Sequence, residues 1–240
     1  IETGEVFGAE ALVRWELPDR GMILPSDFIP IAEETNLIIE IGEWVLDKVC
    51  EDFRLWQRSA ADPGRVSVNL SLKQLRQPNF TKRIGAIMRG HEVSPTSLEL
   101  EITETTLMED TKRTIKLLDQ LYALGLHLAI DDFGTGYSSL SALQQFPIST
   151  LKIDKSFVRD VATNPDDATI VGTIVQMGRN LNMDVVAEGV ENEYQLNFLQ
   201  RLECTYVQGL LFGDPMSAEN YLELLVAQAD GTDSYRALFA

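Results

Sequence analysis

The sequence has little cysteine and little histidine. Its 240 residues include two cysteines, Cys50 and Cys204, and two histidines, His91 and His127. Two cysteines outside any Cys-x-x-Cys pattern provide neither a disulfide framework nor a thiolate metal site. We therefore expect a reduced cytosolic chain without structural zinc, and we expect neither histidine to be a metal ligand.

Long apolar runs and an excess of positive charge are also missing. No apolar run approaches the ~18 residues of a membrane helix, and the residues at the start do not resemble a signal peptide. Lys and Arg number 20 against 37 Asp and Glu, a formal net charge of −17, which disfavours a binder of nucleic-acid polymers. Because no initiator Met is present, we expect a piece of a longer protein. That protein would be cytoplasmic, or this piece would be the cytoplasmic part of a larger membrane-anchored signalling protein without membrane contacts of its own.

Apolar segments typical of β-strands alternate with longer amphipathic segments typical of helices. Several predicted strands are nearly continuous apolar runs, as expected where both faces of a parallel strand are covered. The aromatic and Met residues of the helical stripes, among them Trp44, Tyr122 and Met177, are expected in the core. The predicted strands are Val6–Arg14, Arg65–Leu70, Leu98–Ile102, Leu126–Ile130, Thr150–Ile153, Asp184–Ala187 and Tyr206–Leu211.

This alternation predicts a parallel α/β architecture with right-handed crossovers. A closed (β/α)8 barrel needs one strand more than these seven, which a segment upstream of this piece can supply. An open doubly wound sheet is the rival, but the Gly-x-Gly-x-x-Gly phosphate loop expected after its first strand is absent. The barrel is favoured.

Polar residues stand where the predicted strands end. In a βα barrel these ends converge on the face that carries the active site. A helix N-cap explains any one of them, but caps do not explain repeated Glu. Gathered carboxylates repel one another unless a cation neutralises them, and an oxygen-only set suits Mg²⁺, Mn²⁺ or Ca²⁺. The set is Asn69, Glu101, Glu104, Asp131, Asp132, Lys152, Asp154, Glu188, Glu191 and Gln208.

Two parts of this set point to phosphoryl chemistry. The adjacent Asp131 and Asp132 could serve two cations, which together activate water and clamp a phosphoryl group. Lys152 would be costly as an unpaired core cation, but beside carboxylates it could orient the attacking water. The following segment, Phe133–Gly136, has glycines on both sides of Thr135, so it can bend sharply beside a ligand.

Ordered motifs over nearly the whole chain resemble the EAL family of cyclic di-GMP phosphodiesterases. The motifs are Gly8-Ala9-Glu10-Ala11-Leu12-Val13-Arg14-Trp15, Phe28-Ile29-Pro30, Ala32-Glu33-Glu34, Val68-Asn69-Leu70-Ser71, Glu99-Leu100-Glu101-Ile102-Thr103-Glu104, Asp131-Asp132-Phe133-Gly134-Thr135-Gly136, Leu151-Lys152-Ile153-Asp154, Ala187-Glu188-Gly189-Val190-Glu191 and Gln208-Gly209. The resemblance implies a TIM-like barrel with one antiparallel strand and hydrolysis of cyclic di-GMP to linear 5'-pGpG.

The resemblance also implies roles for individual residues. Two Mg²⁺ or Mn²⁺ ions would be bound by six ligands, which are Glu10, Asn69, Glu101, Asp131, Asp132 and Glu188. Ca²⁺ would inhibit the reaction. Lys152 would position the catalytic water, and Glu188 is also a candidate base. The substrate would contact Arg14, Asp154, Glu191 and Gln208. Glu104 would brace a regulatory loop that links the site to a homodimer interface and comprises Phe133, Gly134, Thr135 and Gly136.

The sequence departs from the family pattern in two places. The Gln-Pro strand that usually precedes the first motif is absent, and Leu17-Pro18 stands where many relatives have His-Pro. A non-hydrolysing cyclic di-GMP receptor on the same fold is therefore the alternative function. A pure interaction scaffold is a weaker one, because it leaves the acidic rim unexplained. We predict one phosphodiesterase domain over residues 1–228 and a tail over residues 229–240.

Overall fold

The computed structural model describes residues 1, 3–59, 62–108, 111–136 and 143–231. The strands of this part are β1 Gly8–Ala11, β2 Trp15–Leu17, β3 Gly21–Ile23, β4 Arg65–Asn69, β5 Leu98–Thr103, β6 His127–Phe133, β7 Thr150–Ile153, β8 Asp184–Ala187 and β9 Tyr206–Val207. The helices are α1 Pro25–Thr35, α2 Ile38–Arg58, α3 Leu72–Leu75, α4 Phe80–Gly90, α5 Glu104–Met108, α6 Thr111–Ala123, α7 Lys155–Arg159, α8 Pro165–Leu181, α9 Glu193–Arg201 and α10 Ala218–Ala229, with a 3-10 turn at Pro95–Ser97.

Seven strands form one curled sheet in the order β1-β4-β5-β6-β7-β8-β9, and each neighbouring pair is parallel. The predicted TIM-like α/β fold is confirmed. Among the described residues no backbone pairing joins β1 to β9, but the curl brings the two edges together. The rings of Phe7 and Tyr206 stack with their centroids 3.8 Å apart.

All seven predicted strands are present, and two of them, β7 and β8, have the predicted bounds. β1 is shorter than predicted because the chain leaves the sheet after Ala11 and forms the β2–β3 hairpin. This hairpin is an antiparallel pair in a separate two-stranded sheet. Its strands have three residues each, too few for a periodic pattern to reveal, and the turn between them is followed by Gly21, the first residue of β3, where φ is 69°.

The two faces of the curled sheet differ in polarity, which corrects the prediction of apolar residues on both faces. Contacts between strands that are not neighbours identify the polar face as the inner one. Arg65 on β4 reaches Asp184 on β8 at 4.0 Å, and Lys152 on β7 reaches Glu10 on β1 at 3.3 Å. Since side chains alternate along a strand, the apolar residues between them lie on the outer face and form the core with the helices. They include Val66, Val68, Leu98, Leu100, Ile102, Leu128, Ile130, Leu151 and Ile153.

The helices pack their apolar stripes against this outer face, but two predicted core residues are exposed. Trp44 is 58% exposed and Tyr122 is 59% exposed. Successive residues turn by about 100° around a helix, so Trp44 lies some 200° away from the buried Leu46. Tyr122 is turned by one such step from the buried Leu121. Met177 is half-buried and packs against the core as predicted.

In the part of the chain that the structure describes, no helix is both long enough and apolar enough to span a membrane.

Replacement of Phe53 by Ala should lower the free energy of unfolding by about 3–5 kcal/mol, because it leaves a cavity between α2 and the sheet. Phe53 is buried in the core cluster. Trp44→Ala on the same helix is the matched control and should cost less than about 1 kcal/mol. Urea denaturation measures both. Similar losses in the two variants would contradict the described orientation of α2.

Candidate active site

A buried lysine occupies the centre of the inner face at the carboxyl ends of the strands. Lys152 is 2% exposed. Its Nζ lies 2.6 Å from Glu101 Oε1, 2.7 Å from Glu188 Oε1, 3.3 Å from Glu10 Oε2 and 3.8 Å from Asp131 Oδ1. We call these five residues the upper layer. They come from β7, β5, the end of β8, β1 and β6, so a single cation holds together strands from the whole width of the sheet.

The charge of Lys152 is fixed by its surroundings. Burial alone would lower the pKa of this lysine, but the attraction of Glu101, Glu10 and Glu188 outweighs burial and holds the pKa well above its ordinary value. The ammonium group therefore stays protonated throughout the physiological range. Lys152 can donate hydrogen bonds and stabilise negative charge, but it cannot accept a proton from water.

Glu10 is held by two side-chain amides as well as by the lysine. Asn69 Nδ2 donates to Glu10 Oε1 at 2.7 Å, and Gln208 Nε2 donates to Glu10 Oε2 at 2.8 Å. Burial raises the pKa of Glu10, but Lys152, Gln208 and Asn69 together bring it below its ordinary value. Glu10 is thus ionised, and its contact with Gln208 joins the two edges of the sheet.

Glu101 is the least satisfied group of the upper layer. It is 1% exposed, and apart from its ion pair with Lys152 neither carboxylate oxygen has a hydrogen-bond partner among the described residues. Burial, with repulsion by Glu10 and Asp131, raises the pKa of Glu101 well above its ordinary value despite the lysine. Buried acceptors without donors are expensive. A bound cation would supply the partner that Glu101 Oε2 lacks.

A β-bulge directs both adjacent aspartates to the same rim. Neighbouring residues of a regular strand point to opposite faces, but the pairing of β6 with β7 shifts register between Ile130 and Phe133. Asp132 has a φ of 52°, a left-handed conformation that Asp tolerates better than most residues. As a result, Asp131, Asp132 and Glu188 each bring a carboxylate oxygen within 4.8 Å of the others. This oxygen-only donor group fits Mg²⁺ or Mn²⁺.

Two of these carboxylates have pKa values near neutrality. Burial and the repulsion of Asp131 raise the pKa of Glu188 to about 7, against the attraction of Lys152. Burial and the same aspartate raise the pKa of Asp132 to about 6, helped by a hydrogen bond with Asp154.

Asp154 also has a structural role. Its Oδ1 accepts from the backbone N–H of Ser156 at 3.0 Å and from the hydroxyl of the same serine, so it is the N-cap of α7. Burial raises the pKa of Asp154, but the bonds from Ser156 and Asp132 bring it below its ordinary value.

The glycine loop is anchored on one buried carboxylate. Glu104 Oε2 accepts from the backbone N–H groups of Gly134 and Gly136 at 3.0 and 3.1 Å. A Cβ on Gly136 would lie 2.8 Å from the carboxyl carbon of Glu104, and a Cβ on Gly134 would lie 2.9 Å from the ring of Phe157. Both glycines are therefore required by close approach. Thr135 Oγ1 donates to the carbonyl of Asp132 at 2.9 Å, and Phe133 is buried.

The structure does not bring every predicted site residue together. Arg14 donates to the carbonyl of Val13 at 3.0 Å, and the side chain of Glu191 is exposed. Among the described residues, neither side chain hydrogen-bonds to or pairs with the upper layer.

A second polar layer below the site was not predicted. It consists of Arg65, Ser67, Glu99, Thr150 and Asp184, and we call these five residues the lower layer. The sequence pattern that indicates this layer is the alternation of polar and apolar residues along β4, β5 and β7, since every second residue of these strands is polar.

Comparisons with known proteins agree with this geometry. The family model of the EAL domain matches residues 1–215. The chain belongs to the EAL domain family. MucR of Pseudomonas aeruginosa, a bifunctional diguanylate cyclase/cyclic di-GMP phosphodiesterase, is 47% identical over 219 residues, which are 91% of this chain and 32% of MucR. NbdA of the same species, a cyclic di-GMP phosphodiesterase, is 40% identical over 227 residues, which are 95% of this chain and 29% of NbdA.

This EAL domain therefore spans about a third or less of the length of these two curated relatives. Among solved structures, that of the PaMucR phosphodiesterase in complex with c-di-GMP superposes with a TM-score of 0.88 at 46% identity. The match covers 91% of this chain and 89% of that one.

The affinity of this EAL domain for Mn²⁺ should rise by roughly tenfold or more between pH 5.5 and 7.5, because metal binding requires deprotonated ligands. The pKa values of Asp132 and Glu188, about 6 and about 7, place their proton loss in this window. Isothermal titration calorimetry in several buffers measures the affinity and the protons released. Asp132→Asn, which keeps the left-handed backbone, should bind more weakly and release fewer protons. An affinity that does not change with pH would exclude these carboxylates as ligands.

Proposed function

We propose that this domain is a divalent-metal-dependent phosphodiesterase that hydrolyses cyclic di-GMP to linear 5'-pGpG. The observation that carries the proposal is the upper layer, in which a protonated Lys152 stands among four carboxylates and Glu101 Oε2 lacks a hydrogen-bond partner among the described residues. Membership of the EAL family and similarity to MucR and NbdA, both described as cyclic di-GMP phosphodiesterases, support the choice of substrate.

Six residues would hold two cations. The ligands we assign are Glu10, Asn69, Glu101, Asp131, Asp132 and Glu188. When bound, Mg²⁺ or Mn²⁺ would lower the pKa of water and neutralise the charge of the phosphodiester. Ca²⁺ is expected to inhibit, because its looser coordination places water poorly.

The side chains of the upper layer have separate tasks in this reaction. Lys152 donates hydrogen bonds that would orient the attacking water and stabilise the negative charge developing on the phosphoryl oxygens. Glu188 is also a candidate base, but as a ligand of the cations it would be poorly placed to accept the proton of the attacking water. Asn69 and Gln208 hold Glu10 in place, so the ligand on the first strand keeps its position.

Four residues would contact the substrate. Arg14 presents a guanidinium group that suits a phosphate, and its only hydrogen bond within the described chain, to the carbonyl of Val13, leaves most of its donors available. Asp154, Glu191 and Gln208 would provide acceptors and donors to the dinucleotide or to its water shell.

The glycine loop is proposed to connect the site with an interface between two copies of the domain. Glu104, Gly134 and Gly136 fix the loop immediately after the paired aspartates. We assign the activity to residues 1–228, with residues 229–240 as a tail of which the structure describes the first three.

Incubation with cyclic di-GMP and Mg²⁺ should yield linear pGpG, which separation of the products by chromatography detects. Asp131→Asn should reduce turnover by more than about 100-fold, because it removes a carboxylate ligand of the cations that would activate water and neutralise the phosphodiester. Asp119→Asn, the same change at an exposed position of α6, is the control and should retain full turnover. Bound but unchanged cyclic di-GMP in the wild-type chain would instead identify a receptor.

Gly136→Ala should lower kcat by roughly tenfold, because the new methyl group displaces Glu104 and with it the loop beside the site. The matched control is Gly90→Ala, where an added Cβ meets nothing within 4 Å. Steady-state kinetics and thermal unfolding of both variants provide the measurement. If Gly136→Ala kept wild-type kcat, the loop would have no part in the reaction.

A further inference from the structure

The lower layer, like the upper layer, is a group of buried or half-buried charged and polar side chains on the inner face of the sheet. It lies two residues closer to the amino ends of the strands. Glu99 is 4% exposed. Its Oε2 accepts from Thr150 Oγ1 at 2.7 Å and from Arg65 Nη1 at 3.0 Å, and its Oε1 accepts from Ser67 Oγ at 3.1 Å. Arg65 also faces Asp184 at 4.0 Å. The three hydrogen bonds to this carboxylate are therefore buried or partly buried inside the curled sheet.

One bond of the lower layer differs from the others in what it connects. Glu99 lies on β5 and Thr150 on β7, and these two strands do not pair because β6 lies between them. Two residues further along the same strands, Glu101 and Lys152 meet at 2.6 Å. The strands β5 and β7 are thus joined twice across β6, once in each layer.

The backbone alone does not fix the distance between these strands at the level of the site. The ladder between β6 and β7 is regular at Ala129 and Ile130 but shifts register before Phe133. The bulge that turns Asp131 and Asp132 to one rim therefore interrupts backbone pairing beside Lys152. The Glu99–Thr150 bond lies directly below this interruption, where Thr150 is still the register partner of Ala129.

We propose that Thr150 and Glu99 are a positioning pair, whose bond across β6 sets the separation of Glu101 and Lys152 and so the geometry of the metal site. This inference rests on the proposed function of the upper layer. Neither residue touches the substrate or the metal in this proposal. Both act through the residue two positions further along their own strand.

Ser67 provides a matched control within the same layer. It also donates one hydrogen bond to Glu99, but Ser67 and Glu99 are register partners on the paired strands β4 and β5. The backbone already fixes their separation. Loss of the Ser67 hydroxyl removes one donor from Glu99, as loss of the Thr150 hydroxyl does, but it leaves the bond between β5 and β7 intact.

The test compares three variants of the whole chain. Thr150→Val keeps the shape and the β-branch and removes the donor, while Arg65 still neutralises Glu99 and Ser67 still donates a hydrogen bond to it. Thr150→Ser keeps the hydroxyl, and Ser67→Ala is the control. The measurements are Mn²⁺ affinity by calorimetry, kcat and KM for cyclic di-GMP at saturating Mg²⁺, and the midpoint of thermal unfolding.

Thr150→Val should lower both kcat and Mn²⁺ affinity by about tenfold with little change in KM, since small displacements of ligands have effects of this size. Thr150→Ser should recover most of both losses. Ser67→Ala should stay within about twofold of wild type in both quantities, even where its thermal midpoint falls as far as that of Thr150→Val. Should Thr150→Val not fold, Thr150→Ala, which also removes the donor and leaves Glu99 unchanged, takes its place.

Two results would overturn the positioning pair: wild-type kcat and Mn²⁺ affinity in Thr150→Val, or equal losses in Thr150→Val and Ser67→Ala. A wild-type chain that binds Mn²⁺ and leaves cyclic di-GMP intact would overturn the proposed function instead. The Mn²⁺ affinities of the three variants would then still decide whether the pair positions the site.

Discussion

The ion pairs of Lys152 are the interaction on which the site depends. A buried ammonium group is tolerated only when carboxylates surround it, and four do so here. The carboxylates in turn would repel one another without the lysine. Removing one partner of such a buried group typically costs about 3–5 kcal/mol. The stability of the fold and the proposed chemistry therefore require the same arrangement, in which five strands end around a single positive charge.

Alternation along the strands makes this arrangement possible. Every second residue of β4, β5 and β7 is polar and faces inwards, while the residues between them form the core with the helices. A larger apolar interior would pack more simply, but it would leave no place for a charged rim. The polar inner face is continuous from Glu99 to Lys152, so the lower layer supports the upper one through the strands that they share.

Much of this could be predicted from the sequence, and the failures have physical causes. Strand positions and the acidic rim follow from periodicity and from what ends each strand, and both were recognisable. The prediction that Trp44 is buried was wrong, because helical spacing identifies an apolar stripe but does not show how wide the buried part of that stripe is. The convergence of Asp131 and Asp132 depends on a bulge, and a bulge is a relation between two strands rather than a property of one. The lower layer was missed because Glu99 and Thr150 do not stand at the carboxyl ends of their strands.

The bond from Gln208 to Glu10 joins residues 198 positions apart. Contacts between distant parts of a chain form slowly, because a long loop must close before they can stabilise anything. Asn69 and Lys152 can hold Glu10 earlier, but its bond to Gln208 forms only after the last strand has joined the sheet. A ribosome that has made four-fifths of this domain carries a chain with nearly every acidic residue of the rim and no finished site. The proposed site is therefore complete only when the last strand of the sheet is in place.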